Sequence, residues 1–585
     1  MTQESEKRQT GWGRMDEKDY LTLTPQERKR ELVRIQALID QDGQTPEQKA
    51  DLFFEQGLLH GYAEEYPKAI ASYDKALEIK PDLHQAWNNR GSALHDLGRW
   101  EEAIASFDKA LEIKPDLHQA WYDRGIALGN LGRLEEAIAS YDKALEFKPD
   151  YYEAWNNRGI ALGNLGRWEE AIASLDKALE LQPDYHEAWN NRGYALGNLG
   201  RWEEAIASYD KALELKPDLH AAWYYRGLAL EDLGRWEEAI ASYDKVLEFK
   251  PDFHVAWYYR GMALGNLGRL EEAIASWDKA LEIQPDLHVA WYNRGIALGN
   301  LGRWEEAIAS YDKALEIQPD LHVAWYYRGL ALGNLGRWEE AIASYDKALE
   351  FKPNFHVAWY NRGLAVSKLG RLEEAIASLD KALEFKPDDD AAWYYRGIAL
   401  GNLGRLEEAI ASYDKALEIK PDLHEPWYDR GNALDNLGRW EEAIASYDKA
   451  LEFKPDFYIA WDNRGSALGR LGRLEEAIAS YDKALEIKPD DDRAWYNRGY
   501  ALYNLGRLKE AIACFDKALE FKPDLQEAFY SKACSYALNG QIDQAIQNLQ
   551  QAINLNPDEW REMAKTDSVF DSIRSHTRFQ ALIQE

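Results

Sequence analysis

Tryptophan returns every 34 residues through most of this 585-residue chain. Phenylalanine takes the same place before the series, at Phe53, and after it, at Phe529. Counting from three residues before each aromatic, so that the aromatic is position 4, gives 15 contiguous repeats, 50–83 through 526–559. Positions within a repeat are numbered from 1 to 34 on this basis. A period of this length indicates a stacked array and overrides the default expectation of several ordinary domains. The tryptophans are Trp87, Trp121, Trp155, Trp189, Trp223, Trp257, Trp291, Trp325, Trp359, Trp393, Trp427, Trp461 and Trp495.

Each repeat has the pattern of two helices, as repeat 8 (288–321) illustrates. Apolar and small residues recur at helical spacing in two stretches, one around Trp291 and one after Gly302. Gly302 is predicted to end the first helix, and Pro319 the second. Asp320 is then predicted to be the N-cap of the next helix. One hairpin cannot bury both of its apolar stripes, so we expect each hairpin to pack against its neighbours.

Six positions of the repeat carry the residues that mark the tetratricopeptide repeat, and the sequence resembles that family over residues 50–559. The resemblance implies an all-α fold, an α-solenoid in which about 15 tandem helix-turn-helix hairpins form a right-handed superhelix with capping helices at its ends. It also implies a protein that binds other proteins. In repeat 8 the marking residues are Trp291, Gly295, Ala307, Tyr311, Ala314 and Pro319.

Outside the repeats the chain divides into three segments. Residues 1–22 are polar and charged, and we expect them to be disordered. Residues 23–49 include a predicted helix that begins after Thr24 and covers the first end of the array. Residues 560–585 carry spaced apolar side chains and resemble the segment that closes many bacterial arrays of this family, so capping is their expected role.

A charged position between repeats departs from the family pattern. Position 7 is arginine in thirteen repeats and position 25 is aspartate in the first fourteen. Position 7 lies among apolar positions, so its cation needs a partner. Repeat 1 has Asp74 but no cation at position 7, and repeat 15 has Lys532 but no acid at position 25. Each of these acids and cations has a partner only if every aspartate at position 25 pairs with the cation at position 7 of the following repeat. This predicts fourteen pairs, from Asp74–Arg90 to Asp516–Lys532; the alternative is two independent solvated charge rows.

The sequence gives no indication of catalytic chemistry. It contains no P-loop, GxGxxG, HExxH or CxxC motif, and its Ser, Asp and His residues recur periodically instead of gathering once. Nine histidines share position 1, but one imidazole per stacked hairpin does not converge on a single ion. We therefore expect no enzymatic activity, no metal and no cofactor.

Charge and hydropathy limit the possible partners and location. The net charge of −32 lies almost entirely in residues 50–559 and repels nucleic acid and anionic membranes. No apolar run is long enough for membrane insertion, and no secretory signal is visible. Two cysteines in so long a chain fit a reducing compartment. A cytoplasmic location is expected.

The family resemblance places positions 2, 5, 6, 9, 12 and 13 on a concave wall. Asparagine amides there could match a peptide backbone of any sequence, and tyrosine offers flat area with a polar tip. The alternative is that these side chains only pack against adjacent repeats. The predicted peptide-binding groove consists of Tyr122, Asn157, Asn191, Tyr224, Tyr225, Tyr258, Tyr259, Tyr292, Asn293, Tyr326, Tyr327, Tyr360, Asn361, Tyr394, Tyr428, Tyr496 and Asn497.

These features favour a non-enzymatic scaffold that binds extended polypeptide segments. Because the wall has almost no lysine or arginine, a neutral to basic protein or peptide is the expected ligand. Two alternatives stay open. The chain could be a structural rod that associates with copies of itself, or a regulatory or adaptor subunit of an enzyme encoded elsewhere.

Overall fold

A computed structural model describes residues 23–584, and every regular element in that range is helical. The helices are short and of similar length, as the 34-residue pattern predicts. They are α1 Pro25–Ile39, α2 Pro46–Tyr62, α3 Tyr66–Ile79, α4 His84–Asp96, α5 Trp100–Ile113, α6 His118–Asn130, α7 Leu134–Phe147, α8 Tyr152–Asn164, α9 Trp168–Leu181, α10 His186–Asn198, α11 Trp202–Leu215, α12 His220–Asp232, α13 Trp236–Phe249, α14 His254–Asn266, α15 Leu270–Ile283, α16 His288–Asn300, α17 Trp304–Ile317, α18 His322–Asn334, α19 Trp338–Phe351, α20 His356–Lys368, α21 Leu372–Phe385, α22 Asp390–Asn402, α23 Leu406–Ile419, α24 His424–Asn436, α25 Trp440–Phe453, α26 Tyr458–Arg470, α27 Leu474–Ile487, α28 Asp492–Asn504, α29 Leu508–Phe521, α30 Gln526–Leu538, α31 Ile542–Leu555, α32 Pro557–Thr566 and α33 Thr577–Gln584, with a 3₁₀ turn at Ser568–Phe570.

The described chain divides into two compact halves, residues 23–297 and residues 298–584. Within each half, the even-numbered helix of a repeat packs against the odd-numbered helix that follows it. That second helix then packs against the first helix of the next repeat. The predicted all-α architecture of consecutive helical hairpins is confirmed. The expected disorder of residues 1–22 lies outside the described residues.

Glycine shapes most of the hairpins at two positions. At position 15 the backbone has a positive φ, +74° at Gly336, which the chain needs to leave the first helix and which glycine adopts without strain. At position 8 the two helices approach closely: a Cβ added to Gly329 would lie 2.6 Å from Cε1 of the buried Tyr345 ring. Large and small residues therefore interlock, as the alternation in the sequence predicts.

The predicted capping role of Asp320 and its equivalents is wrong. In repeats whose N-cap is resolved, the residue after this aspartate is the N-cap, such as Leu321, and its side chain makes no capping hydrogen bond. The aspartate contributes its backbone instead, since Asp82 O accepts from His84 N at 3.0 Å. Apolar side chains at the N-cap join the core, which here replaces side-chain capping. Only where that residue is itself aspartate, as at Asp389, does the side chain cap the helix.

All fourteen predicted ion pairs between repeats are confirmed. The Asp312–Arg328 pair is representative, with Oδ1 and Nε 2.6 Å apart. The distances of the fourteen pairs lie between 2.5 and 2.7 Å. Arg328 also donates from Nη1 to Ser344 Oγ at 2.7 Å, and Ser344 Oγ donates to Glu340 O at 2.9 Å. We call this Asp–Arg–Ser contact the rung. It ties the second helix of one repeat to both helices of the next.

Helices at each end cover the apolar surface of the terminal repeats. Helix α1 begins with a capping box, in which Thr24 Oγ1 accepts from Glu27 N, and it packs against α2 through Ile35 and Ile39. At the other end, Phe570 and Phe579 are fully buried against repeat 15. The outer faces of the first and last hairpins are thereby removed from water.

Candidate functional site

We call the surface formed by positions 2, 5, 6, 9, 12 and 13 of the first helices the first-helix face. The predicted groove residues occupy its positions 5 and 6. All seventeen side chains belong to half-buried residues; none is fully buried and none is fully exposed. The structure therefore leaves part of each aromatic ring or amide open to solvent. It also places each of them in contact with its surroundings, which the sequence did not specify.

Hydrogen bonds link this face from one repeat to the next. Asn361 Nδ2 donates to Tyr326 Oη at 3.2 Å, and Asn157 Nδ2 donates to Tyr122 Oη at 3.0 Å. Asn293 Nδ2 makes the same contact with the Tyr258 hydroxyl. In these three repeats the asparagine at position 6 thus reaches position 5 of the preceding repeat. Packing against adjacent repeats, the alternative to peptide binding, therefore accounts for part of what these Tyr and Asn side chains do.

Aromatic contacts continue the face where position 6 is tyrosine. The rings of Tyr224 and Tyr259, from neighbouring repeats, have centroids 6.0 Å apart in an edge-on arrangement. Tyr225 packs on Tyr194: the centroids of the two rings are 5.1 Å apart, and Tyr194 is 41% exposed. The tyrosines therefore form a connected aromatic surface in the N-terminal half.

Carboxylates on the same face were not singled out from the sequence. Asp429 at position 6 accepts from Tyr394 Oη at 2.9 Å, and Asp462 at position 5 accepts from Asn497 Nδ2 at 3.1 Å. Burial raises the pKa of both carboxyls, with the hydrogen bonds opposing the shift. The available signal was the interruption of the Tyr and Asn pattern at these two positions.

Position 12 carries a second pair of buried acids. Most repeats have glycine there, but repeat 6 has Glu231 and repeat 12 has Asp435. Arg470, from the following repeat, donates from Nη1 to both carboxyl oxygens of Asp435 at 2.9 and 3.0 Å. No cation pairs with Glu231 among the described residues; its buried Oε1 lies beside the Tyr243 hydroxyl. Burial raises the pKa of Glu231 to about 7, and the nearby Tyr243 hydroxyl opposes that shift.

Family models for the tetratricopeptide repeat match almost the whole of the repeat array. Models described as "Tetratricopeptide repeat" match 54–118, 106–139, 156–220, 190–253, 254–287, 288–321, 322–355, 360–424, 424–457, 492–525 and 526–559. A model described as "TPR repeat" matches 130–166 and 470–506. Several matched segments have the same bounds as the repeats counted from the tryptophans.

The chain belongs to the tetratricopeptide repeat family.

Individual proteins are similar to parts of the chain. An uncharacterized protein of Methanocaldococcus jannaschii is 37% identical over 54 residues, which are 9% of this chain and 63% of that protein. The chain thus spans less than two thirds of the length of this curated relative. One similar solved structure is the crystal structure of YrrB, described as a TPR protein with an unusual peptide-binding site. It is 28% identical in sequence, with a TM-score of 0.30, and the match covers 32% of this chain and 98% of the YrrB chain. The MamA crystal structure is 28% identical with a TM-score of 0.28, covering 29% of this chain and 92% of its own.

Residues 23–584 contain neither a metal-binding cluster nor a membrane-spanning helix. No three His, Cys, Asp or Glu side chains in that range are grouped so that they could hold a metal ion. None of the helices there combines the length and the apolar character needed to cross a bilayer.

Proposed function

We propose that this tetratricopeptide protein is a non-enzymatic scaffold that holds an extended, neutral to basic polypeptide segment along the first-helix face. Family membership supports the coarser role, since arrays of this kind present extended surfaces to other proteins. The observation that carries the finer proposal is the half-buried Tyr and Asn face, with Asp429 and Asp462 embedded in it.

Hydrogen bonding between repeats gives the face a defined shape before a ligand arrives. The Asn361 amide is held by both Tyr326 Oη and Val357 O, at 3.2 and 2.9 Å. A side chain already fixed in place loses little conformational entropy on binding. The asparagine carbonyl oxygens and the tyrosine O–H groups still offer hydrogen-bonding chemistry suited to a peptide backbone.

Charge selects among possible segments. The chain carries a net charge of −32, and the carboxyls of Asp429 and Asp462 accept hydrogen bonds from the neutral Tyr394 and Asn497. Among the described residues Asp462 also forms a long ion pair with Arg493, whose guanidinium lies 3.7 Å away and whose side chain is 74% exposed. A basic segment would gain favourable long-range attraction and faster association, whereas an acidic segment would be repelled.

A titration with three labelled peptides of equal length tests the proposal: one lysine- and arginine-rich, one uncharged and one glutamate-rich. We expect the basic peptide to bind best and the acidic peptide worst, with a preference that weakens as salt is added. Replacing both Tyr326 and Asn361 by alanine should weaken binding of the basic peptide. The matched control is Lys347→Ala on α19, an exposed residue paired only with Glu350 of its own helix. Equal binding of the three peptides, or no loss in the double variant, would refute the proposal.

A further inference from the structure

Glu231 lies in surroundings that differ from those of Asp435, the acid at the same position of repeat 12. It is on α12, and its position puts the side chain next to the tyrosine at position 24 of the same repeat. In repeat 11, for comparison, a Cβ added to Gly401 at this position would lie 3.7 Å from Tyr413 Oη. The corresponding hydroxyl in repeat 6 is Tyr243 Oη, which is buried beside Glu231 Oε1.

Aromatic rings surround this pair of polar atoms. Tyr224 and Tyr243 have centroids 6.4 Å apart, and Tyr243 and Tyr259 stack at 6.2 Å. Tyr224 and Tyr259 close the triangle at 6.0 Å. Burial is the main cause of the raised pKa of Tyr243, and the charge of Glu231 is the next, which indicates that the carboxyl is close to the hydroxyl. A carboxylate among tyrosine rings is the chemistry that recognises an organic cation, since both the charge and the ring faces attract it.

The molecule itself shows what satisfies an acid at this position. In repeat 12 the equivalent carboxylate, Asp435, receives the Arg470 guanidinium from position 13 of the next repeat. After Glu231 the same position is Asn266, whose side-chain amide donates to Met262 O at 3.0 Å. Repeat 6 therefore has the acceptor of this contact but lacks its donor.

We propose that Glu231, with Tyr224, Tyr243 and Tyr259, binds the guanidinium of an arginine side chain in a partner segment. This inference rests on the proposed function, because the arginine arrives as part of the segment held on the first-helix face. Guanidinium is favoured over ammonium because its plane can stack on a tyrosine ring while its N–H groups reach the carboxylate. The Glu231 residue is half-buried, so the site opens on that face.

The experiment uses the full-length protein and two peptides that differ at one residue. One is an otherwise uncharged extended peptide with a single arginine, and the other has citrulline in its place, which keeps the shape and removes the charge. We expect the arginine peptide to bind wild-type protein at least about tenfold more tightly, because a hydrogen-bonded charge is worth more than a neutral pair. Equal affinity for the two peptides would overturn the proposal.

Three variants locate the preference. Glu231→Gln and Glu231→Gly should each abolish the arginine preference; the second introduces the residue that most repeats carry, so folding is expected to survive. Asn266→Arg should also abolish it, because the new guanidinium would occupy Glu231 as Arg470 occupies Asp435. Asp435→Asn serves as control and should leave the preference intact. An arginine preference that persists in Glu231→Gly would overturn the assignment of the site.

The outcome separates this inference from the proposed function. If both peptides bind the wild type equally and the Tyr326 and Asn361 double variant still weakens them, the scaffold proposal survives and the arginine site fails. If neither peptide binds in the concentration range expected for the basic peptide, the scaffold proposal and the arginine site both fail.

Discussion

The rungs between repeats and the first-helix face are built on the same helices, but one is uniform and the other varies. Every rung joins an Asp to the cation of the next repeat within the same narrow range of distances. Cys514 replaces the serine once, and Arg498 Nη1 still donates to its Sγ at 2.9 Å. On the face, by contrast, the acceptor of the position 6 asparagine is Tyr326, Asn156 or Asp462 in different repeats. Each repeat packs on a near-copy of itself, so the packing positions are constrained together, whereas the face can change without loss of cohesion.

The largest expected effect concerns packing inside a hairpin. In Gly329→Ala the new Cβ would lie 2.6 Å from the buried Tyr345 ring, which has no room to move. We expect a loss of about 2–3 kcal/mol in the free energy of unfolding, as for other overpacked cores. Gly333→Ala, one turn later on α18, is the control: its nearest neighbour is 3.5 Å away, so the protein should be unchanged or slightly more stable. Urea unfolding measures the free energy of unfolding of both variants. Equal stability of Gly329→Ala and Gly333→Ala would contradict the close approach of the two helices at Gly329.

A second prediction concerns the cost of the unpaired acid on the face. The pKa of Glu231 is about 7 in the folded protein, above its ordinary value of 4.5. The folded state therefore holds the proton more tightly, and this contribution to stability is complete below about pH 4.5 and lost as pH rises through about 7. After allowance for partial exposure, Glu231→Gln should stabilise the protein by ~2 kcal/mol at about pH 8 and by little at about pH 4.

Urea unfolding of wild type and Glu231→Gln across this pH range measures the effect. The control is Glu237→Gln, at an exposed residue on α13. The difference in the free energy of unfolding between this variant and wild type should not depend on pH. A constant difference between wild type and Glu231→Gln at all pH values would show that Glu231 keeps its ordinary pKa.

A smaller effect is expected at the rung. Arg328→Met removes the cation shared by Asp312 and Ser344, in a place where the arginine side chain is only 20% exposed. Because Asp312 itself is 44% exposed and can be hydrated, we expect a loss of about 1–2 kcal/mol. Arg337→Met, which breaks a pair with Glu340 on the surface of the same repeat, should change the free energy of unfolding much less than Arg328→Met does. Equal losses in the two variants would mean that the rung is only a surface ion pair.

The smallest stability effect belongs to the face. Asn361→Ala removes the two hydrogen bonds that this half-buried amide donates to Tyr326 Oη and Val357 O, and should cost about 0.5–1 kcal/mol. The corresponding loss of peptide affinity should be larger than this stability change if the residue serves binding. A thermal unfolding curve and a peptide titration on the same sample compare the two quantities. A stability loss as large as that of Gly329→Ala would show that the face, and not the hairpin core, holds the repeats together.

The difference between rung and face also explains how far the sequence could predict this molecule. Asp74 at one end of the array and Lys532 at the other determined the pairing, because only one assignment left no charge single. The helices and their glycine turns followed from periodicity. The role of Asp320 was predicted wrongly, because capping propensity does not account for an apolar N-cap that joins the core.

The contacts on the face were beyond sequence reasoning for a physical reason. The bond from Asn361 to Tyr326 depends on the distance between helices of adjacent repeats, which a 34-residue period does not specify. The isolation of Glu231 depends on the absence of an arginine 35 residues later, and this becomes visible only beside the Asp435–Arg470 pair. A pattern that repeats identifies what is common to the repeats, whereas the candidate site lies where they differ.

The most direct test of the central claim is to ask which surface touches a bound peptide. A photoreactive benzoylphenylalanine is placed at Tyr326 on the first-helix face in one protein and at Phe351, 43% exposed on the second helix α19, in another. Both full-length proteins are irradiated with the same basic extended peptide. We predict cross-linking from position 326 and little or none from position 351; equal or stronger cross-linking from position 351 would contradict the assignment of binding to the first-helix face.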